Sequence, residues 1–285
     1  MPAGAYRFQV GTIRCTVLSD GYFSYPAAWF FPGADPEELA AALENRRLPR
    51  DRILSPYTCL LIETGRHVVL VDTGAGAGLT TSGAIGARLE MCGIRPRDVD
   101  TVVLTHAHPD HIGGAVDERG RPAFPNARYV LSDTECEFWN SPRAGLRDAC
   151  LPFDVKVAML ETARRCLQAL RHQLEAIDGE NEIVPGVRAF PAFGHTPGHL
   201  ALLIASDGEQ LLNLGDAAAH PLHLEHPEWH NGFDQAPAQA VLTRRCLLDR
   251  AARECMHVMA FHFPFPSLGR VAPRPAGGWE WSPGW

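Results

Sequence analysis

The sequence predicts a layered α/β fold in which helices cover β-sheet, and three observations carry that expectation. Two hairpin patterns lie about 140 residues apart, TCLLIE, TGR, HVVLVD and then HLALLIA, SDGE, QLLNLGD, each with turn residues between apolar runs. Each closes on an aspartate close to a glycine, Asp72 in VDTG and Asp216 in LGDA, which suggests an internal duplication. Helical periodicity is interleaved with short strands in both halves, and no Ser-, Gly- or Pro-rich linker parts them. Residues 1–285 therefore read as one domain, with N-terminal strands and an aromatic loop over 1–56, a core over 57–272 and a tail over 273–285.

Taken in order, the N-terminal part carries Tyr22, Phe23, Tyr25, Trp29, Phe30 and Phe31, interrupted by Pro26 and Pro32. This run reads equally as a pocket wall for an apolar group and as packing of a loop onto a sheet. The first hairpin turns at Gly65. A helix is expected over 81–92, a strand at 102–104, a short turn after Ile112, a strand at 128–131, and helices over 132–140 and 154–176. A strand at 187–192 leads into the second hairpin. The next helix, 236–255, carries Ala240, Val241, Leu247, Leu248 and Ala251 toward a core and Arg244, Arg245 and Arg250 toward water. A strand at 257–261 follows, and APRPAGGWEWSPGW is turn-rich, its tryptophans expected to pack on a surface.

At 285 residues and 46% hydrophobic, the chain can bury a sizeable core. The formal charge of -7 and the lack of a dense Lys/Arg cluster leave no footprint for a nucleic-acid backbone. No segment approaches the ~18 uninterrupted apolar residues of a membrane span, and no basic stretch followed by an apolar run opens the chain. The eight cysteines form no CxxC pair and read mostly as reduced, buried small hydrophobes. A soluble, cytoplasmic protein acting on a small molecule is the expectation.

The chemistry gathers in TVVLTHAHPDHIGG, residues 101–114. After an apolar strand, a loop with Pro109 and Gly113-Gly114 lets closely spaced side chains converge instead of alternating across a pleat. His106 and His108 can share one ion, and Asp110 and His111 are free to face another. Four ligands from one loop cannot complete two coordination spheres, so more are expected at other strand ends. GHTPGH (194–199), Asp216 and His262 in MAFHFPFP occupy such places.

HxHxDH, GHTPGH, GD and a histidine after an apolar strand, in this order between about 57 and 272, resemble the metallo-β-lactamase-fold superfamily. The resemblance implies a four-layer αββα sandwich with metals at the sheet edge between two halves. It assigns His106, His108 and His199 to one metal and Asp110, His111 and His262 to the other, with Asp216 bridging and both aspartates available for catalysis. By the same pattern His195 takes a buried hydrogen-bonding role rather than coordination, and Asp72 orients a ligand imidazole through its other nitrogen. Two Zn2+ per chain are implied, and a His/Asp ligand list does not exclude iron or manganese.

Within the superfamily, LSDGYFSYPAAWFFPGADPEEL (18–39), HPEWHNGFDQAPAQAVLTRRCLLDRAA (226–252) and FHFPFPSLGRV (261–271) resemble the branch of methyl-parathion-type organophosphate hydrolases and N-acyl-homoserine lactonases. The expected activity is hydrolysis of a lactone, ester or phosphotriester by a metal-bridging hydroxide. The rival readings are an iron-dependent, persulfide-type oxygenase on the same scaffold and a metal-stabilised binding protein without turnover. Lactonases of the branch often place a tyrosine three residues after the bridging aspartate, where this chain has Ala219; either a neighbouring group such as His220 or His223 takes over, or the metals do all the electrophilic work. Candidate pocket residues are Phe23, Tyr25, Trp29, Phe30, Phe138, Trp139, His220, Leu222, His223 and Phe265. The resemblance also implies a homodimer.

Overall fold

The computed structural model describes residues 4–78, 81–142, 144 and 146–285. Along the chain, β1 (Ala5–Val10), β2 (Ile13–Pro26), α1 (Ala27–Phe30) and α2 (Pro36–Glu44) precede the first hairpin, β3 (Arg52–Glu63) and β4 (Val68–Val71). Then come α3 (Ile85–Met91), β5 (Thr101–Val103), α4 (Pro109–Ile112), β6 (Arg128–Ser132), α5 (Asp133–Asn140), α6 (Phe153–Leu170) and β7 (Leu174–Ile177). The second half runs through β8 (Asn181–Val184), β9 (Val187–Pro191), β10 (Leu200–Ser206), β11 (Glu209–Asn213), α7 (Leu222–Glu225), α8 (Pro237–Arg253), β12 (His257–Met259), β13 (Leu268–Pro273) and β14 (Trp279–Pro283).

Two seven-stranded sheets result, ordered β1 to β7 and β14 to β8. Val10, Val17, Leu60, Val69 and Val103 of one sheet pack with Val187, Leu202, Leu211 and Met259 of the other in a single apolar layer. The outer face of the first sheet packs on α3, α5 and α6 through Leu70, Val102, Leu89, Trp139 and Leu167. The outer face of the second packs on α8 through Leu212, Val258, Leu247 and Leu248. The layering is thus αββα. In both halves an antiparallel hairpin is followed by a strand added in parallel, β5 beside β4 and β12 beside β11. Parallel strands need a crossover, and the chain leaves each hairpin at the same edge of its sheet.

Several expectations are corrected. The helix expected over 154–176 ends at Leu170, and Leu174–Ile177 forms the edge strand β7; the exposed Glu175 and Ala176 hide its strand character from hydrophobic periodicity. The helix expected from 81 begins only at Ile85. The C-terminal tail pairs β14 with β13, and Trp279 is buried rather than resting on a surface. Arg244 does not face water: it is 1% exposed, and its guanidinium donates to the carbonyls of Ala217, Pro227 and Trp229. All eight cysteines are free, yet only Cys15, Cys59 and Cys166 are buried. No helix among the described residues is long and apolar enough to cross a membrane.

Candidate metal centre

The loops after β4, β5, β9, β11 and β12 meet at one edge of the sandwich. His106 and His108 leave the end of β5, and Pro109 opens the single turn of α4, a position where a missing N–H costs nothing. That turn carries Asp110 and His111 back over the sheet edge. Gly114 is required here, because a Cβ would lie 2.1 Å from the Thr73 carbonyl oxygen.

The imidazoles of His106, His111, His195 and His262 are each held from behind on one nitrogen and aimed with the other. His111 donates from Nδ1 to Asp72 Oδ2 at 2.9 Å, and Asp72 accepts from the Thr105 backbone N–H at 2.8 Å. His106 Nδ1 lies 3.1 Å from Thr105 Oγ1. His262 Nδ1 lies 2.8 Å from Ser55 Oγ, and His195 Nδ1 lies 2.8 Å from Asp234 Oδ1. Fixing one ring nitrogen in this way sets the tautomer and turns the other toward a ligand.

The free nitrogens converge. His108 Nδ1 lies 2.9 Å from both His106 Nε2 and His195 Nε2. His106, His108 and His195 form one group of potential ligand atoms, and Asp110, His111 and His262 form another. Asp216 touches both: its Oδ2 is 3.3 Å from His195 Nε2 and 3.1 Å from His262 Nε2, while Oδ1 is 3.3 Å from His111 Nε2.

His195 and His199 are exchanged relative to the sequence expectation. His199 spends both nitrogens elsewhere, with Nδ1 donating to the Ala192 carbonyl at 3.0 Å and Nε2 accepting the Asp216 backbone N–H at 3.0 Å. It therefore steadies the backbone of Asp216, and His195 reaches the centre. Asp72, His106, His108, Asp110, His111, Asp216 and His262 all lie where the two groups form.

The donor set fits metal ions. His111 Nε2 and Asp216 Oδ1 are buried without a hydrogen-bond partner, and an orphaned buried polar atom is costly unless something satisfies it. Basic nitrogens 2.9 Å apart likewise call for a cation between them or a shared proton. Burial, then His111, pushes the His106 imidazole well below its usual range; burial, then His195, does the same to His108. Both stay neutral, the form that binds metal. For His111 burial is outweighed by Asp216 and Asp72, which raise it well above the usual value. For Asp216 burial is outweighed by His262 and His111, which hold its carboxyl well below the usual range.

Beside the centre lies a cavity of about 600 Å³. Phe23, Tyr25 and Trp29 line it, together with Tyr57, Asn231, Phe233 and the α6 residues Val155 and Met159. The other pocket candidates are elsewhere. Phe30, Leu222, His220 and His223 are buried beneath the aromatic run, against Phe31 and Trp229. Trp139 is fully buried and Phe138 packs against it; Phe265 is exposed. Ala219 is buried in the same packing as Leu222, so neither His220 nor His223 can replace a tyrosine at the cavity. Tyr25 and Tyr57 both line the cavity, with their hydroxyls 2.6 Å apart.

Sequence reasoning missed Glu135. Its fully buried carboxylate accepts from Ala107 N–H and Trp139 Nε1 on one oxygen, and from Thr196 Oγ1 and Gly198 N–H on the other. One side chain at the start of α5 thereby ties the HAHPDH loop to the GHTPGH loop. Burial raises its pKa and those donors oppose the rise. A Cβ at residue 198 would lie 2.3 Å from the Glu135 backbone nitrogen, which explains the glycine there. The acidic run of DTECE gave no signal separating Glu135 from its exposed neighbours.

Comparison with known proteins agrees with this fold. A family model described as the Metallo-beta-lactamase superfamily matches residues 52–254. An N-acyl homoserine lactonase of Bacillus sp. is 27% identical over 226 residues, 72% of this chain and 80% of that protein. The solved structure of AidC, a dizinc quorum-quenching lactonase in complex with a product, superposes with a TM-score of 0.93 at 27% identity, covering 99% of this chain and 98% of that one. The hydrolase AbOPH gives a TM-score of 0.88 at 26% identity, with 99% and 98% covered.

Proposed function

The chain belongs to the metallo-β-lactamase superfamily as a metal-dependent hydrolase, and we propose that its centre holds two zinc ions and opens a lactone. In this reading His106, His108 and His195 hold one ion, Asp110, His111 and His262 hold the other, and Asp216 lies between them. The observation that carries it is the position of Asp216, whose two oxygens face rings of both groups within 3.3 Å. The lactonase relatives, one of them dizinc, support the choice of metal and substrate.

Such ions, when bound, bring the pKa of water near neutrality and polarise the substrate oxygen. The chain supplies the rest. Asp110 is partly exposed and lines the cavity, so its carboxylate can take a proton and return it to a leaving oxygen. Phe23, Trp29, Phe233 and Met159 offer an apolar wall for an acyl chain. Burial, then Asp110, raises the hydroxyls of Tyr25 and Tyr57 above the ordinary phenol range; they stay protonated and donate hydrogen bonds. Ester and phosphotriester bonds present the same electrophilic problem and belong to the same reading as secondary substrates.

The test is a hydrolysis panel of acyl-homoserine lactones, aryl esters and paraoxon-like triesters, run with zinc-loaded and chelator-stripped protein. Two equivalents of bound metal and metal-dependent lactone opening are expected. Oxygen uptake on a persulfide substrate with iron bound, in place of hydrolysis, would overturn the reading.

A further inference from the structure

We propose that Asp234 is a positioning residue for the metal centre, fixing the tautomer and direction of His195 as Asp72 does for His111. The inference rests on the two-ion reading above and extends it to a residue in the loop before α8.

Four observations converge on it. Asp234 and His195 are both almost fully buried, and Asp234 Oδ1 lies 2.8 Å from His195 Nδ1. The other oxygen is also engaged, accepting the Asn231 backbone N–H at 2.9 Å, so the carboxylate cannot swing away. The backbones are pinned together as well: Gln235 N–H donates to the His195 carbonyl at 3.0 Å and Ala236 N–H to the Gly194 carbonyl at 2.9 Å. Finally, the buried Arg244 guanidinium lies 3.9 Å from Asp234 Oδ2 while held by three carbonyls. It places a positive charge beside that carboxylate in an interior where an unpartnered charge is costly.

With Nδ1–H committed to Asp234, the lone pair of His195 resides on Nε2, the atom 2.9 Å from His108 and 3.3 Å from Asp216. A carboxylate behind an imidazole also makes it a stronger electron donor. The two halves thus back one ligand histidine each with a buried aspartate, Asp72 from the end of β4 and Asp234 from the loop that precedes α8. The same loop contributes Asn231 and Phe233 to the cavity wall, so the residue that aims His195 and residues that shape the cavity lie on one segment.

The test is zinc titration of stripped wild-type protein, Asp234→Asn, Asp234→Ala and Asp72→Ala against a chromophoric chelator, with cobalt absorption spectra and unfolding of the metal-free forms alongside. Asp234→Ala is expected to weaken one of the two equivalents about 10- to 100-fold, with Asp234→Asn falling between it and wild type. The cobalt spectrum of that equivalent shifts, and the other equivalent keeps its affinity. Asp72→Ala is expected to weaken the opposite equivalent. Wild-type affinity at both equivalents in Asp234→Ala overturns the proposal, as does equal loss of both together with a lowered melting temperature in Asp234→Asn. If Asp234→Ala does not fold, an Asp234→Asn protein with an unchanged spectrum and unchanged affinity overturns it alone. A wild-type protein holding one equivalent sinks the two-ion reading by itself; the role of Asp234 then stands or falls on whether Asp234→Ala binds that ion more weakly.

Discussion

The two halves of the molecule end their second hairpin strand in the same way and then diverge by two residues. Val71 is the last residue of β4 paired with β5, and the next amide, Asp72 N–H, donates to the Val103 carbonyl. Asn213 is the last residue of β11 paired with β12, and the next amide, Leu214 N–H, donates to the Met259 carbonyl. Asp72 therefore corresponds to Leu214, and Asp216 lies two residues farther from the sheet. In the first half the left-handed residue that turns the chain is Asp72 itself, with φ of 59°. In the second it is Gly215, with φ of 51°, and the aspartate comes after it. An aspartate tolerates that conformation and a glycine adopts it freely. The consequence is functional: one carboxylate stops behind an imidazole and orients it, while the other reaches the midpoint of the centre.

If that difference of two residues separates an orienting role from a central one, their removal must have unequal effects. Asp216→Ala is expected to lower lactone hydrolysis by about 10³-fold or more and to release at least one equivalent of metal, measured by turnover and elemental analysis. Unchanged turnover and metal content would remove Asp216 from the centre and erase the contrast. Asp72→Ala is the milder case: about 10- to 100-fold weaker binding of the ion beside His111 is expected, read by chelator competition, with the other ion retained.

How far this arrangement was legible follows the same contrast. The hairpins, the added strands and the helices α5 and α8 declare themselves through periodicity, and HAHPDH, Asp216 and His262 stand out because polar ligands follow apolar strands. GHTPGH was misread, since nothing in its spacing says which ring faces inward. That depends on Gly194, whose φ of 131° and close packing on Ala240 set the path of the loop, and on an amide of Asp216 that occupies His199. Arg244 reads as one more charge on an amphipathic helix, because its three carbonyl partners come from segments 15 to 27 residues away. Glu135 and Asp234 were missed for a related reason: their roles lie in long-range contacts that leave no local pattern.

The cavity wall sharpens the comparison further, because the N-terminal aromatic run of the first half and Phe233 of the second meet there. Tyr25 and Trp29 contact the Phe233 ring at centroid distances of 5.6 and 6.4 Å. Phe233→Ala is expected to raise KM for a long-chain acyl lactone about tenfold, in line with loss of one aromatic contact surface, with kcat within about twofold of wild type. A short-chain lactone assayed in parallel should show a smaller change; equal changes for both would place Phe233 outside the acyl site.

The smallest effect concerns an imidazole of the second half that takes no part in the centre. His220 is buried against Phe31, and burial, followed by the positive charge of Arg46, pushes its pKa down from 6.5 to about 3. The unfolded chain takes up a proton below pH 6.5 that the folded chain refuses until far lower pH. The stability from neutral His220 is therefore complete above 6.5 and declines as pH falls toward about 3, with a slope of about 1.4 kcal/mol per pH unit. A glutamine at this position carries no such linkage. With chelator present throughout, His220→Gln should be less stable than wild type at pH 7.5, by about 1 kcal/mol for the lost acceptor of the Leu222 amide. The two stability curves should then meet near pH ~6 and cross below it, because only the wild type loses the contribution of this group, about 2 kcal/mol by pH ~5. Parallel curves across that range would mean that His220 protonates in the folded chain as readily as in the unfolded one, and that the packing beneath the aromatic run admits a charge.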